Sequence, residues 1–294
     1  MSAMLASWGF SALWNPPIAL GLVVIGALYA WVVGPLRVRL ANHLPVRRNQ
    51  QITFYLTLAL LYLAVGSPLD VISDHYLFSA HMLQHMLLAV VVAPLLLIGT
   101  PDWFWRPIYR MPAVGKVLAF LTRPLVAVLV FNILFSYMHF PGFYDLSLKN
   151  ETVHFIEHAV ILVTGMFMWW PVFSPLPELP ALSDPLKILY LFVDGLLMMV
   201  AFATITFAPI PIYTFYLTAP RLIPGVSPLL DQQLGGLVMH YMTLTAYGAA
   251  TVWAFFHWVR GERMKEEFGL LPRPEPRPGR SNPPSGAPLN GRLP

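Results

Sequence analysis

The sequence predicts an all-α polytopic membrane protein: seven transmembrane helices in one bundle, N-terminus outside, C-terminus cytoplasmic. Three observations predict it. First, charged residues make up 11% of the 294 and hydrophobic residues 57%, where a soluble domain carries about 25% charge. So few charges cannot cover a water-facing surface, and the mean hydropathy is +0.62. Second, the apolar residues fall in continuous runs long enough to span a bilayer. They are not the alternating strands of about ten residues that build membrane barrels. Third, Lys and Arg collect in alternate loops.

Seven runs qualify, at about residues 17–34, 50–66, 76–99, 117–139, 152–171, 187–208 and 232–258. The first is not a cleavable leader: it lacks a basic start, and Gly34-Pro35-Leu36-Arg37 follows it. Arg37, Arg39, Arg47 and Arg48 lie between the first and second runs. Arg106, Arg110, Lys116 and Arg123 lie at the connection of the third and fourth. Lys187 stands before the sixth, and seven more basic residues follow the seventh. The alternate loops hold only Lys149 and Arg221, so the split is 16 to 2. Positive loops stay cytoplasmic. The expected organisation is an external segment at 1–16, a membrane domain at 17–260, and a Pro/Arg-rich cytoplasmic tail at 261–294, largely disordered because it cannot bury apolar surface.

The net charge of +4 belongs to those loops and not to a nucleic-acid surface; the partner composition implies is the lipid bilayer. With no cysteine, disulfides, iron–sulfur clusters and thiolate metal sites are excluded. The sequence does not set the oligomeric state.

Ionisable groups inside spans are costly and are functional candidates by default. His81 and His85 lie in the third span, His154 and His158 in the fifth. Each pair is i,i+4, on one helix face and about 6 Å apart along the axis. The third and fifth spans both run inward, so the two faces meet at overlapping depths near the outer surface. His139 ends the fourth span on that side, His240 lies in the outer half of the seventh, and His75 sits at the outer mouth. Met82 and Met86 flank the first pair, and Glu157 lies i+3 from His154. Imidazole and thioether without thiolate are ligands for copper, Cu(I) above all; a carboxylate adds a ligand or orients an imidazole. The candidate metal residues are therefore His81, His85, His154, His158, His139, Glu157, Met82, Met86 and His240. Asp70, Asp74, Asp145 and Asp231 are expected to line an electronegative access route. Asp194, in the sixth span, is expected to pair with Thr243 or Tyr247 or to serve a proton path. Gly235 and Gly236 suit close helix packing, and Trp169 and Trp170 suit interfacial anchoring.

Four motifs occur in order: Ser79-Ala-His-Met-Leu-Gln-His-Met-Leu-Leu, His139-Phe-Pro-Gly-Phe-Tyr-Asp145, His154-Phe-Ile-Glu-His158 and Asp231-Gln-Gln-Leu-Gly-Gly236. Together, over about residues 15–260, the chain resembles the CtaG-like integral-membrane assembly factors of bacterial caa-type cytochrome c oxidase. The resemblance implies a multi-pass plasma-membrane protein that works with cytochrome c oxidase subunits and helps mature the haem–copper oxidase, through its copper centres. It puts the family's motif positions on His81, Gln84, His85, His139, Asp145, His154, Glu157, His158, Asp231 and Gln232. Ligand exchange suffices for such a role, so an enzyme is not expected. The alternatives are a haem-binding electron-transfer protein, with imidazoles on facing helices as axial ligands, and a metal transporter or membrane metalloenzyme. A retinal protein is excluded, because no lysine lies deep in a span.

Overall fold

The computed structural model of the chain describes residues 4, 5, 7–40 and 46–268. These are predominantly helical, with no strand among the described residues. His43 and the tail from residue 269 onward, with the disorder expected there, lie outside them.

Helix α1 (Pro16–Val33) starts at Pro16, with the Asn15 side chain accepting from Ile18 N. It packs on α2 (Arg48–Val65) through a Tyr29–Phe54 stack at 3.7 Å, and the Tyr29 hydroxyl donates to Gly99 O. Leu20, Val23, Leu28 and Trp31 point outward, as a lipid-facing helix requires. Helix α3 (Pro68–His75) is capped by Ser67 and turns the chain into α4 (Phe78–Met86).

The third span was expected as one helix. It is α4, a π-helical segment Leu87–Val92, and α5 (Ala93–Gly99). Pro94 supplies the physical reason: it has no N–H for the ladder, and its ring crowds the carbonyl four residues back. Ala93 N donates to Leu88 O, five residues earlier. Ala89 O thereby loses the donor four residues on and meets proline five residues on. Trp169 Nε1 supplies the missing hydrogen at 3.1 Å. Trp169 and Trp170 are consequently buried in the core and are not interfacial anchors.

The fourth span was expected at 117–139. The chain instead breaks at Thr122 and Arg123 between α6 (Pro112–Leu121) and α7 (Pro124–Met138), which meet at 81°. The residue before a proline avoids helical geometry, and proline at N1 starts the next helix. After α8 (Pro141–Ser147) come α9 (Glu151–Phe173), α10 (Asp184–Thr206) and α11 (Pro228–Glu267). Helix α11 continues seven residues into the segment expected as tail. Five helices among the described residues are long and apolar enough to cross a membrane, and the bent α6–α7 pair makes a sixth candidate. The 40-residue α11 is long enough, but Gly, Thr, Tyr and His dilute its apolarity.

Two close approaches fix the core. Gly165 of α9 lies on Ala89, where an added Cβ would sit 3.1 Å from Ala89 O. Gly235 of α11 receives Phe78 and Met82, and Gly236 receives Phe202 and Thr206, as close packing required. Helix α9 is thus tight against the π segment and α5, while its backbone stands apart from that of α4. Imidazoles fill the opening between them.

Candidate metal centre

Successive rings pair across that opening. His81 faces His154 at 5.2 Å between ring centroids, and His85 faces His158 at 5.1 Å. Residue number rises in the same sense on both helices, so α4 and α9 run parallel, as the motif spacing required. His81 and His85 are completely buried, as is Glu157.

Hydrogen-bond partners assign the ring protons. The C-cap residue of α7, His139, places Nδ1 2.7 Å from Phe135 O. A carbonyl only accepts, so Nδ1 carries the proton and Nε2 presents a lone pair. His85 Nδ1 lies 3.3 Å from that lone pair and donates to it. His85 Nε2 is then a lone pair as well. On the other side, His81 Nδ1 faces Asp74 Oδ1 at 3.7 Å and Tyr216 Oη at 3.5 Å. The Tyr216 hydroxyl already donates to Ser73 O at 2.6 Å, so its oxygen accepts. Burial holds the Tyr144 and Tyr216 hydroxyls far above the usual phenol range, so both stay protonated. His81 Nε2 faces His85 Nε2 at 2.8 Å, a distance that a hydrogen on His81 Nε2 donating to the His85 lone pair accounts for.

The same carboxylate sets His154, whose Nδ1 lies 3.4 Å from Asp74 Oδ2. His154 Nε2, His158 Nε2 and both Glu157 oxygens are buried without any hydrogen-bond partner. Leaving such atoms unpaired costs about 1–3 kcal/mol each, and more for a charged group. Ligand atoms of His81, His154 and His158 lie within 4.8 Å of one another, as do those of His81, His85 and Glu157. The two groups share His81 and are otherwise distinct. Two nitrogens each about 2.0 Å from one ion stand about 2.8 Å apart at a right angle and about 3.3 Å apart in a tetrahedron. The His81–His85 separation is that of the right-angled pair.

Asp74 is the site residue that sequence reasoning read only as a mouth carboxylate. Its signal was the i,i+4 spacing from Asp70, which puts both on the α3 face turned to α4. Ser73 Oγ lies 2.8 Å from Asp74 Oδ1 and 2.9 Å from Gln84 Oε1; Gln84 Nε2 donates to Asp70 Oδ1 and to Ala64 O. These bonds tie α3 to α4 around the imidazoles.

Other expected residues lie elsewhere. Met82 and Met86 are fully buried in the apolar core, Met82 against Gly235. One residue along a helix turns the side chain by about 100°, away from the face of the histidines. His240 faces Phe202 and Tyr241, beside a groove between α10 and α11, and does not join the cluster. His75 stacks on Trp8 at 4.4 Å. Asp145 and Asp231 do not line an access route. Asp231 accepts from Phe78 N, Ser79 N and Ser79 Oγ, capping α4 from α11. Asp145 accepts from Thr214 and Phe215, and Gln232 bonds Ile212 N and Ile205 O. These motif residues position the helices that carry the ligand atoms. Asp194 pairs with Tyr247, one of its expected partners, and with Asn132.

Comparison with known proteins places this geometry in a family. The model for the cytochrome c oxidase caa3 assembly factor (Caa3_CtaG) matches residues 27–261. No curated protein and no solved structure matches the chain. The matched stretch contains all four motifs, every residue of the histidine cluster and the Asp74 carboxylate behind it: the chain belongs to the cytochrome c oxidase caa3 assembly factor family.

Proposed function

We propose that the chain binds copper as cargo in the imidazole–carboxylate cluster near the outer membrane face, and passes it to cytochrome c oxidase subunits during assembly in the bacterial plasma membrane. The observation that carries this reading is the convergence of four imidazoles, those of His81 and His85 fully buried, with buried Glu157, where His154 Nε2, His158 Nε2 and both Glu157 oxygens have no hydrogen-bond partner. Imidazole and carboxylate without thioether suit copper(II), and the right-angled His81–His85 pair suits its tetragonal geometry. Family membership supports cytochrome c oxidase as the recipient. The 16-to-2 split of basic residues supports an outward-facing site.

Delivery requires only ligand exchange, so the role is non-catalytic. Asp74 would hold His81 and His154 with Nε2 inward, and His139 would do the same for His85. His154 and Asp74 are the partly exposed members of the cluster, with side chains 14% and 21% exposed. They form the side from which an ion would arrive and leave.

A haem is the poorer occupant, since the facing pairs His81–His154 and His85–His158 stand only 5.2 and 5.1 Å apart between ring centroids, too close for a porphyrin plane between them. A transporter needs polar groups continuing inward, and Asp194 bonds Asn132 and Tyr247 and no residue of the cluster. The test is copper content and copper(II) electron paramagnetic resonance of the purified protein beside the His81→Ala/His158→Ala variant. The expected result is a nitrogen-coupled signal in the parent that disappears in the variant, and a copper-deficient oxidase in cells carrying the variant. An unchanged signal, or preference for zinc in competition, would overturn the reading.

A further inference from the structure

A second buried polar point lies deeper in the bundle, and nothing above uses it. Tyr247 Oη of α11 is 2.5 Å from Asp194 Oδ2 of α10. It is also 3.3 Å from Met198 Sδ, one turn along α10, and 3.7 Å from Met168 Sδ of α9. Asn132 Nδ2 of α7 donates to the other Asp194 oxygen at 2.5 Å. Four helices thus bring one polar or thioether atom each to a single place, α10 bringing two. Asp194, Met168 and Met198 are buried. The hydroxyl has one proton and three acceptors around it. The carboxylate takes the proton, and both sulfurs are left without a donor. Asp194 forms no ion pair with Lys, Arg or His among the described residues. An ionised carboxylate in the membrane interior needs one compensating positive charge, and otherwise the group keeps its proton.

We infer that Asp194, Met168 and Met198 form a second ion site, for a soft monovalent cation, copper(I) by its donor chemistry. Thioether sulfur selects copper(I) over zinc and copper(II). One carboxylate and one monovalent ion sum to zero charge, whereas a divalent ion leaves a net charge in hydrocarbon, which is costly. The Tyr247 hydroxyl fills the point when the ion is absent and turns aside, keeping its proton, when the ion binds. No electron is transferred: the ion arrives as copper(I), and any proton on Asp194 leaves to solvent. Met168 follows His158 by ten residues on α9, roughly 15 Å along the axis. The two sites share no donor, and this inference goes beyond the proposed function without resting on it.

The experiment uses the full chain in detergent with His81→Ala and His158→Ala, so that the outer cluster is disabled. It is titrated with silver(I), a redox-inert stand-in for copper(I), against a competing chelator. One tight equivalent is expected, which zinc does not displace. Adding Met168→Leu and Met198→Leu, close in volume to the parent side chains, should weaken it at least tenfold. Tyr247→Phe should leave it in place. If the double leucine variant fails to fold, Asp194→Asn takes its role with the same expected loss. Absence of a tight equivalent, or equal affinity after the methionine or Asp194 changes, would overturn the inference. A parent-like copper(II) signal in the histidine variant would instead refute the outer cluster alone.

Discussion

The Nε2 atoms of His81 and His85 face each other across 2.8 Å. One turn of α4 sets the spacing, and residues on other helices set the tautomers. His139 holds His85, and Asp74 lies 3.4 Å from His154 and 3.7 Å from His81. A metal ion replacing the hydrogen shared between the two nitrogens would be held by both.

Asp74→Asn should weaken copper binding by about 10- to 100-fold, the usual cost of removing a carboxylate that orients ligand imidazoles. The fold should persist, because α3 stays tied to α4 through Gln84. Chelator competition beside a thermal melt checks this; unchanged affinity would show that the carboxylate does not orient the rings.

Asp231→Ala should lower stability without removing a ligand. The substitution strands the N–H groups of Phe78 and Ser79, one of them buried, at about 1–3 kcal/mol for an unsatisfied donor. A melt in the absence of metal should shift downward, while copper stoichiometry in the folded fraction stays that of the parent.

Trp169→Phe should destabilise by a comparable amount, about 1–3 kcal/mol, because Ala89 O then has no donor at the π segment. Phenylalanine keeps most of the ring burial, so a much larger loss would point to packing. Calorimetric or denaturant unfolding of the detergent-solubilised protein distinguishes the two.

Met82→Leu, Met86→Leu and His240→Ala should each leave the copper(II) signal unchanged, because these side chains lie on faces turned away from the cluster. A lost signal in any of them would place that residue among the ligands.

Much of the architecture was legible in the sequence. Long apolar runs gave the positions of the helices, since hydrocarbon length and hydropathy are properties of a single segment, but the fourth run breaks at Thr122 and Arg123 and the last helix ends nine residues beyond its expected end. The pairing of the two His-x-x-x-His faces was legible too, because i,i+4 spacing fixes a face and alternate spans share a direction. Proline effects were visible in principle at Pro94 and Pro124, but whether a proline bends, widens or breaks a helix depends on what packs beside it. At Pro94 it was Gly165 and Trp169 that made the π turn tolerable. Met82 and Met86 were misleading because adjacency along the chain is not adjacency around a helix. Asp231 and Asp145 looked like mouth carboxylates, since nothing local reveals that a side chain caps a helix about 150 or 70 residues away. Asp74 was undervalued for the same reason.

The most direct test of the central claim is the copper(II) signal per chain in two variants, His81→Ala/His85→Ala and His154→Ala/His158→Ala. Copper(I) held by thioethers is silent in this measurement, so it reports the imidazole cluster alone. If the four imidazoles share one ion, either pair removed abolishes the signal, and removing the second pair changes nothing further, because residues acting through one partner are not additive. A half-intensity signal after loss of either pair would mean one independent site per helix and would contradict the single shared centre.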